Sequence, residues 1–128
     1  MLRSSLLDKE KIETILNIFA SKCLERNIAG PINIYVVGGA SIVMKFKFRA
    51  PTIDIDAYFK KTKDLEDIIK EISEEQHIAK DWMNDEFVNT PSFSSKIIEV
   101  AKLYSIYQNL VYFYILDPEY MIAMKDKQ

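Results

Sequence analysis

The sequence predicts a small α/β (α+β) protein, and three patterns carry that prediction. Apolar residues at helical spacing mark an amphipathic helix over residues 7–26, with Asp8 as its N-cap. A second stripe of this kind predicts a helix over residues 64–76. Between them, Ile32–Val37 is short and β-branched, which is typical of a buried central strand. We therefore expect a small sheet with helices packed around it.

The remaining elements are predicted from turn signals and local periodicity. In chain order they are a helix over 40–48, a strand over 52–59, a short helix within 77–93, a strand over 110–116 and a last helix from Asp117. The stretch 94–107 is ambiguous. We favour a helix, capped by Ser94 or Ser95, because apolar residues recur at helical spacing. As a strand, the stretch would instead place Glu99 between two apolar neighbours.

Length and composition limit the possible classes of protein. With 128 residues, of which 48% are apolar, the chain is long enough for one domain and too short for two, so residues 1–128 are expected to form a single domain. A net charge of -2 argues against a protein that coats nucleic acid by charge alone. The single cysteine, Cys23, indicates a reducing compartment, and no apolar run is long enough to span a bilayer. We expect a cytoplasmic protein without membrane contact.

A glycine pair follows the first predicted strand. Gly38 and Gly39 lie between that strand and the next helix, an arrangement that offers unpaired backbone N–H groups to a phosphate. The N–H groups around Gly39 and Ala40, with the hydroxyl of Ser41, are therefore expected to bind the outer phosphates of a nucleotide. Only glycine lets the backbone approach a phosphate this closely.

Two carboxylates follow on the next predicted strand. Because side chains alternate along a strand, Asp54 and Asp56 share one face while Ile53, Ile55 and Ala57 occupy the other. Mg²⁺ is held in many proteins by one or two carboxylates together with substrate phosphates, so the two aspartates are predicted metal ligands, for Mg²⁺ or Mn²⁺. Such a metal would neutralise a leaving pyrophosphate. Arg49 and Lys125 are candidates for added positive charge at the nucleotide.

The two motifs together resemble a known superfamily. The string Val36-Val37-Gly38-Gly39-Ala40-Ser41, followed after Gly39 by fourteen residues and then Asp54-Ile55-Asp56, is similar to the signature of nucleotidyltransferases with the DNA-polymerase-β-like fold. The wider pattern, including Asp81-Trp82-Met83-Asn84-Asp85, looks like small bacterial nucleotidyltransferase-like proteins related to AbiEii-type toxins. The resemblance implies a minimal nucleotidyltransferase fold with a small mixed sheet.

This sequence departs from the superfamily pattern in two places. Active members place a third carboxylate on the next strand, whereas residues 110–116 contain no acid and only Glu99 is a weak candidate. Relatives also continue beyond the segment that matches Ala123-Met124-Lys125. The chain, which ends at Gln128, is thus expected to be a truncated domain or one that borrows a helix from a partner, for example in a homodimer.

Two functions remain open at this level. The first is an Mg²⁺-dependent enzyme that transfers a nucleoside monophosphate from an NTP to a protein or RNA acceptor, as the toxin of a toxin–antitoxin pair with a cognate antitoxin. The second is a catalytically degenerate domain that serves as a binding or assembly module. Asp54 and Asp56 favour the first, and the missing third acid favours the second.

Overall fold

The computed structural model describes residues 6–45, 51–52, 54–89, 94 and 96–116. Its strands form one five-stranded mixed sheet in the order β3-β2-β1-β5-β4. The strands are β1 Ile32–Val37, β2 Ile55–Tyr58, β3 Met83–Asn84, β4 Lys102–Tyr107 and β5 Val111–Ile115. The α-helices within the described residues are α1 Lys9–Glu25, α2 Gly38–Lys45, α3 Lys63–Gln76 and α4 Ile97–Val100, and Glu86–Asn89 forms a 3-10 helix. The predicted fold class, a small mixed sheet with helices around it, is confirmed.

The central strand β1 determines the arrangement of the sheet. It pairs antiparallel with β2 on one side and parallel with β5 on the other. The short strand β3 extends the sheet parallel to β2, and β4 pairs antiparallel with β5 at the other edge. The β4–β5 turn has positive φ at both Gln108 and Asn109, which matches the right-handed twist of a hairpin.

The main hydrophobic core lies on one face of the sheet. Alternate strand residues, such as Ile34, Val36 and Ala57, point into it and are fully buried. The helices contribute the stripes that the sequence predicts, including Phe19 from α1 and Ile72 from α3. A smaller apolar cluster of Val37, Ile97 and Leu116, with Tyr35, Phe87 and Ala101 packed against it, lies on the opposite face. We call this opposite face the site face.

Local signals explain where the two long helices begin. The Asp8 side chain accepts a hydrogen bond of 2.8 Å from the N–H of Lys11, which confirms Asp8 as the predicted N-cap of α1. Thr62 caps α3 in the same way through the N–H of Leu65. Within α1, Cys23 is fully buried in the main core. Among the described helices, none combines the length and apolar composition needed to cross a bilayer.

The predicted helix over residues 94–107 is wrong for most of its length. Only Ile97–Val100 is helical, and Lys102–Tyr107 forms strand β4. The physical reason is tertiary, because β4 gains backbone hydrogen bonds by pairing with β5 and packs Tyr107 against the main core. The short helix expected within 77–93 is present as the 3-10 helix Glu86–Asn89, and strand β3 precedes it, which the sequence did not predict.

The other predicted elements are found, with shifted bounds. The predicted strand 52–59 is regular only over β2, and Thr52 instead makes an isolated bridge to Leu7. The predicted helix 40–48 begins earlier, at Gly38, and is described as far as Lys45. The strand predicted over 110–116 corresponds to β5. The last helix, expected from Asp117, lies outside the described residues.

We predict that Phe113→Ala lowers the free energy of unfolding by about 3–5 kcal/mol. Phe113 on β5 is fully buried and makes edge-to-face contacts with Phe19 and Tyr107, so truncation would leave a cavity between the sheet and α1. Urea unfolding followed by circular dichroism measures the change. Tyr112→Ala on the same strand is the control, because Tyr112 is half-exposed on the site face; an equal loss in both variants would contradict this core.

Candidate functional site

The chain bends sharply at Gly38, where β1 ends and α2 begins. Gly38 has φ +67°, a left-handed conformation that favours glycine. A Cβ atom built on Gly38 would lie 3.2 Å from Oδ2 of Asp56. The structure therefore places the carboxylate of one predicted aspartate next to the glycine bend, although 17 residues separate Gly38 from Asp56 in the sequence.

The register of three strands places the acidic site on the sheet. Val37 is opposite Asp56 in the β1–β2 pair, and Asp56 is opposite Asn84 in the β2–β3 pair. Ile55 and Ala57 are fully buried in the main core, whereas Asp54 and Asp56 are partly exposed. Side-chain alternation thus turns both aspartates away from the main core, as the sequence predicts.

Asn84 is a residue that interacts with both aspartates, and sequence reasoning did not single it out. Its side chain is buried, and hydrogen bonding to its amide lowers the pKa of both Asp54 and Asp56, which partly offsets the effect of burial. Its amide nitrogen also donates to the carbonyl oxygen of Asp81 at 3.1 Å, and its Oδ1 accepts from the N–H of Glu86 at 3.2 Å. These bonds fix the orientation of the amide. A two-residue strand such as β3 is too short to show a periodic pattern. Asn84 therefore entered the sequence analysis only as part of the segment Asp81-Trp82-Met83-Asn84-Asp85, which resembles the nucleotidyltransferase-like proteins.

Negative charge accumulates around the aspartates. Burial raises the pKa of Asp54, and the charge of Asp81 raises this pKa further, while the hydrogen bond from Asn84 opposes the rise. Burial also raises the pKa of Asp56, and the negative charges of Asp54 and Glu86 raise it further. Within the described residues, no lysine or arginine forms an ion pair with either aspartate. The carboxylates are therefore close to other acids and lack a cationic partner in this part of the chain.

The other predicted phosphate ligands lie beside this acidic site. Gly39 is exposed in the first turn of α2, and a Cβ atom added there would meet Oγ1 of Thr52 at an ordinary 3.6 Å. The backbone of Gly39 and Ala40 belongs to this first turn, whose N–H groups have no partner within the helix. The Ser41 hydroxyl is fully buried and donates to the carbonyl oxygen of Leu116 at 2.7 Å. It holds α2 to the end of β5, so its role at a phosphate stays a prediction.

The third acid of the superfamily pattern is not on β5. That strand contains only apolar and tyrosine residues, and Glu99 is exposed on α4 rather than on a strand. In the described part of the chain, no group of three or more histidine, cysteine or acidic residues is arranged to hold a metal ion. The predicted ligands Arg49 and Lys125 lie outside the described residues.

The carboxylate oxygens of Asp54 and Asp56 are of the kind that bind a hard divalent cation. Mg²⁺ binds oxygen ligands and is commonly held by one or two carboxylates plus substrate phosphates. Asp54 and Asp56 would supply the carboxylates, and the first turn of α2 would receive the phosphates. The crowded negative charge on this site would also be relieved by a cation, which is the physical reason that acids gather at metal sites.

We predict that Gly38→Ala destabilises the protein by about 1–2 kcal/mol, because alanine is strained at positive φ. Its methyl group would also push against the Asp56 carboxylate. Gly39→Ala is the matched control: its methyl group has room, so the free energy of unfolding should change by no more than about 0.5 kcal/mol. Urea unfolding of both variants measures the difference. Equal stability of the two variants would contradict the bend described at Gly38.

A second prediction concerns pH. Because the pKa of Asp56 is higher in the folded protein than in the unfolded chain, ionisation of this group favours unfolding, and stability is lost as pH rises through the folded pKa. Without metal, Asp56→Asn should match the wild type at low pH and become more stable than it as pH rises towards neutrality, by about 0.5–2 kcal/mol. Thermal unfolding in EDTA between acidic and neutral pH tests this. A variant less stable than the wild type at neutral pH would contradict the raised pKa.

The sequence is also similar to a known protein family. Residues 14–127 match the model of a family described as "Nucleotidyltransferase of unknown function (DUF6036)". No match was found among curated proteins or among solved structures. The family match includes the glycine bend, both aspartates and Asn84. The chain belongs to the DUF6036 family of nucleotidyltransferases of unknown function.

Proposed function

We propose that the protein transfers a nucleoside monophosphate from an NTP to a hydroxyl group of a protein or RNA acceptor, with Mg²⁺ or Mn²⁺ as cofactor. The proximity of the Asp56 carboxylate to the Gly38 bend carries this proposal. Under the proposal, the phosphate site at the bend and the metal ligand Asp56 are close enough for a single nucleotide to occupy both. Membership of a nucleotidyltransferase family supports the same reaction class.

The residues would divide the work between binding and charge control. The N–H groups of Gly39 and Ala40 would hold the outer phosphates at the start of α2. Asp54 and Asp56 would hold the metal, which when bound supplies charge neutralisation for the leaving pyrophosphate. In the transfer, an acceptor oxygen bonds to the α-phosphorus as the bond to the pyrophosphate oxygen breaks. Asn84 would keep both carboxylates pointed at the metal.

The biological setting follows from the resemblance alone. A nucleotidyltransferase related to AbiEii-type toxins would act as a toxin and be paired with a cognate antitoxin. We extend this role to the present chain as part of the proposal. We propose a homodimer that completes the site, because the described residues of one chain supply no third acid.

One observation favours a second function. No third carboxylate joins Asp54 and Asp56 in a metal-binding group within the described residues. A domain with two of three acids can bind a metal-linked nucleotide without turning it over. The second candidate is therefore a catalytically degenerate nucleotidyltransferase-like module that binds a nucleotide or assembles with a partner.

Binding of labelled NTPs with and without Mg²⁺ tests the shared part of both candidates. We predict that Asp54→Ala/Asp56→Ala weakens Mg²⁺-dependent NTP binding at least about tenfold, since even outer-shell changes at metal sites cost 10- to 100-fold. Isothermal titration calorimetry measures the affinity. Glu74→Gln is the matched control, because it removes an exposed acid of α3 far along the chain from the site.

An assay for transfer of the nucleoside monophosphate to an acceptor distinguishes the enzyme from the degenerate module. With α-labelled NTP and total cellular RNA or protein, covalent label that depends on Asp54 and Asp56 supports the enzyme, and binding without label supports the module. NTP binding that is equal in the double variant and in Glu74→Gln would contradict the enzyme and leave only the module.

A further inference from the structure

Three tyrosines form a row across the site face, on three adjacent strands. Tyr35 on β1 is directly opposite Tyr58 on β2 and Tyr114 on β5. The rings of Tyr35 and Tyr114 stack with centroids 4.6 Å apart and planes 15° apart. The rings of Tyr35 and Tyr58 are 6.1 Å apart and tilted by 32°. All three side chains are partly exposed, so the row forms an aromatic surface on the site face, while Tyr35 also packs against the smaller apolar cluster.

This tyrosine row lies next to the acidic site. Tyr58 follows Asp56 by two residues on the same strand, and Tyr35 precedes Val37 by two. Both pairs share the site face, because side chains alternate along a strand. The row is therefore one step of about 6.6 Å along the strands from the carboxylates. A molecule with its phosphates bound at the start of α2, next to Asp56, would extend over the tyrosines if it continued along the sheet.

The space above the row is already a pocket. An open pocket of about 740 Å³ is lined by Tyr35, Tyr58, Asn33, Lys60 and Ile98, among others. Ile98 of α4 is exposed in part and contributes an apolar wall to this pocket. Asn33 and Lys60 contribute polar groups at the end of the sheet away from the acids. The volume is in the range of small-molecule sites, which are mainly apolar with a few polar groups for orientation.

We propose that Tyr58, the end ring of the row, binds a nucleobase by stacking, with Tyr35 supporting it from behind. An aromatic ring can stack on any base, because every base has a flat π-surface. Tyr58 lies about 6.6 Å along the strand from Asp56, a distance that the ribose of a bound nucleotide could span. Lys60, at the end of the pocket away from the acids, would face the phosphate of the next nucleotide when the base belongs to a single-stranded acceptor. This inference rests on the proposed function. The base belongs either to the NTP or to a single-stranded acceptor. Binding of ATP and binding of an oligonucleotide distinguish these two sources.

The experiment compares three probes on the purified full chain. Mg²⁺–ATP carries a base and a triphosphate, Mg²⁺–tripolyphosphate carries only the phosphates, and a short oligoadenylate without Mg²⁺ carries bases without a triphosphate. The test variant is Tyr58→Leu. Tyr58→Phe keeps the ring, and Tyr112→Leu removes a tyrosine that is on the same face and outside the pocket lining. Thermal unfolding checks that each variant is folded.

We expect Tyr58→Leu to weaken binding of one base-containing probe by about 5- to 150-fold, which corresponds to the loss of one stacked base. Weaker Mg²⁺–ATP binding assigns the base to the NTP, and weaker oligoadenylate binding alone assigns it to the acceptor. Tripolyphosphate binding should stay unchanged, and Tyr58→Phe and Tyr112→Leu should bind like the wild type.

Unchanged binding of both base-containing probes in folded Tyr58→Leu would overturn the inference. So would a change of oligomeric state in that variant with nucleotide binding intact, which would make the row a protein interface. A failure of the proposed function would give a different result. In that case the wild type would not bind tripolyphosphate in an Mg²⁺-dependent way. Oligoadenylate binding that depends on Tyr58 would still support the stacking site in that case.

Discussion

The antiparallel register between β1 and β2 decides where chemistry can occur in this protein. With Val37 opposite Asp56, the carboxylate meets the Gly38 bend and the start of α2. A shift of β2 by one residue would turn both aspartates into the main core and Ile55 and Ala57 out of it. Burying two carboxylates without cations would cost far more than the pairing gains. The apolar alternation of β2 therefore fixes the site as firmly as it fixes the core.

One neutral side chain interacts with both aspartates of the acidic site. Asn84 is bonded to the backbone on each side of β3, and its amide favours the ionised form of both carboxyl groups. Burial and the charges of Asp81 and Glu86 work against ionisation of the pair. In the described part of the chain, no cation offsets this repulsion, so packing elsewhere must offset it when no metal is bound, which is the usual relation between a functional site and the fold that carries it.

The sequence alone was sufficient for the elements whose signal is local. The stripes of α1 and α3, the β-branched run of β1 and the alternation around Asp56 all follow from burial on one side, and the structure contains each of them. Strand β4 was missed because its apolar spacing also suits a helix and because its turn uses Gln108 and Asn109 instead of glycine. Asn84 and the tyrosine row depend on pairing between distant strands, which no local pattern contains.

The buried position of Cys23 has a consequence for the chemistry of the whole chain. Burial raises the pKa of this thiol to about 12, so the thiolate that alkylating agents and oxidants attack is scarcely formed near neutral pH. Cys23 is the only cysteine in the sequence. The native protein should therefore resist thiol modification while folded, and reactivity of this sulfur towards a maleimide would report opening of the packing between α1 and the sheet.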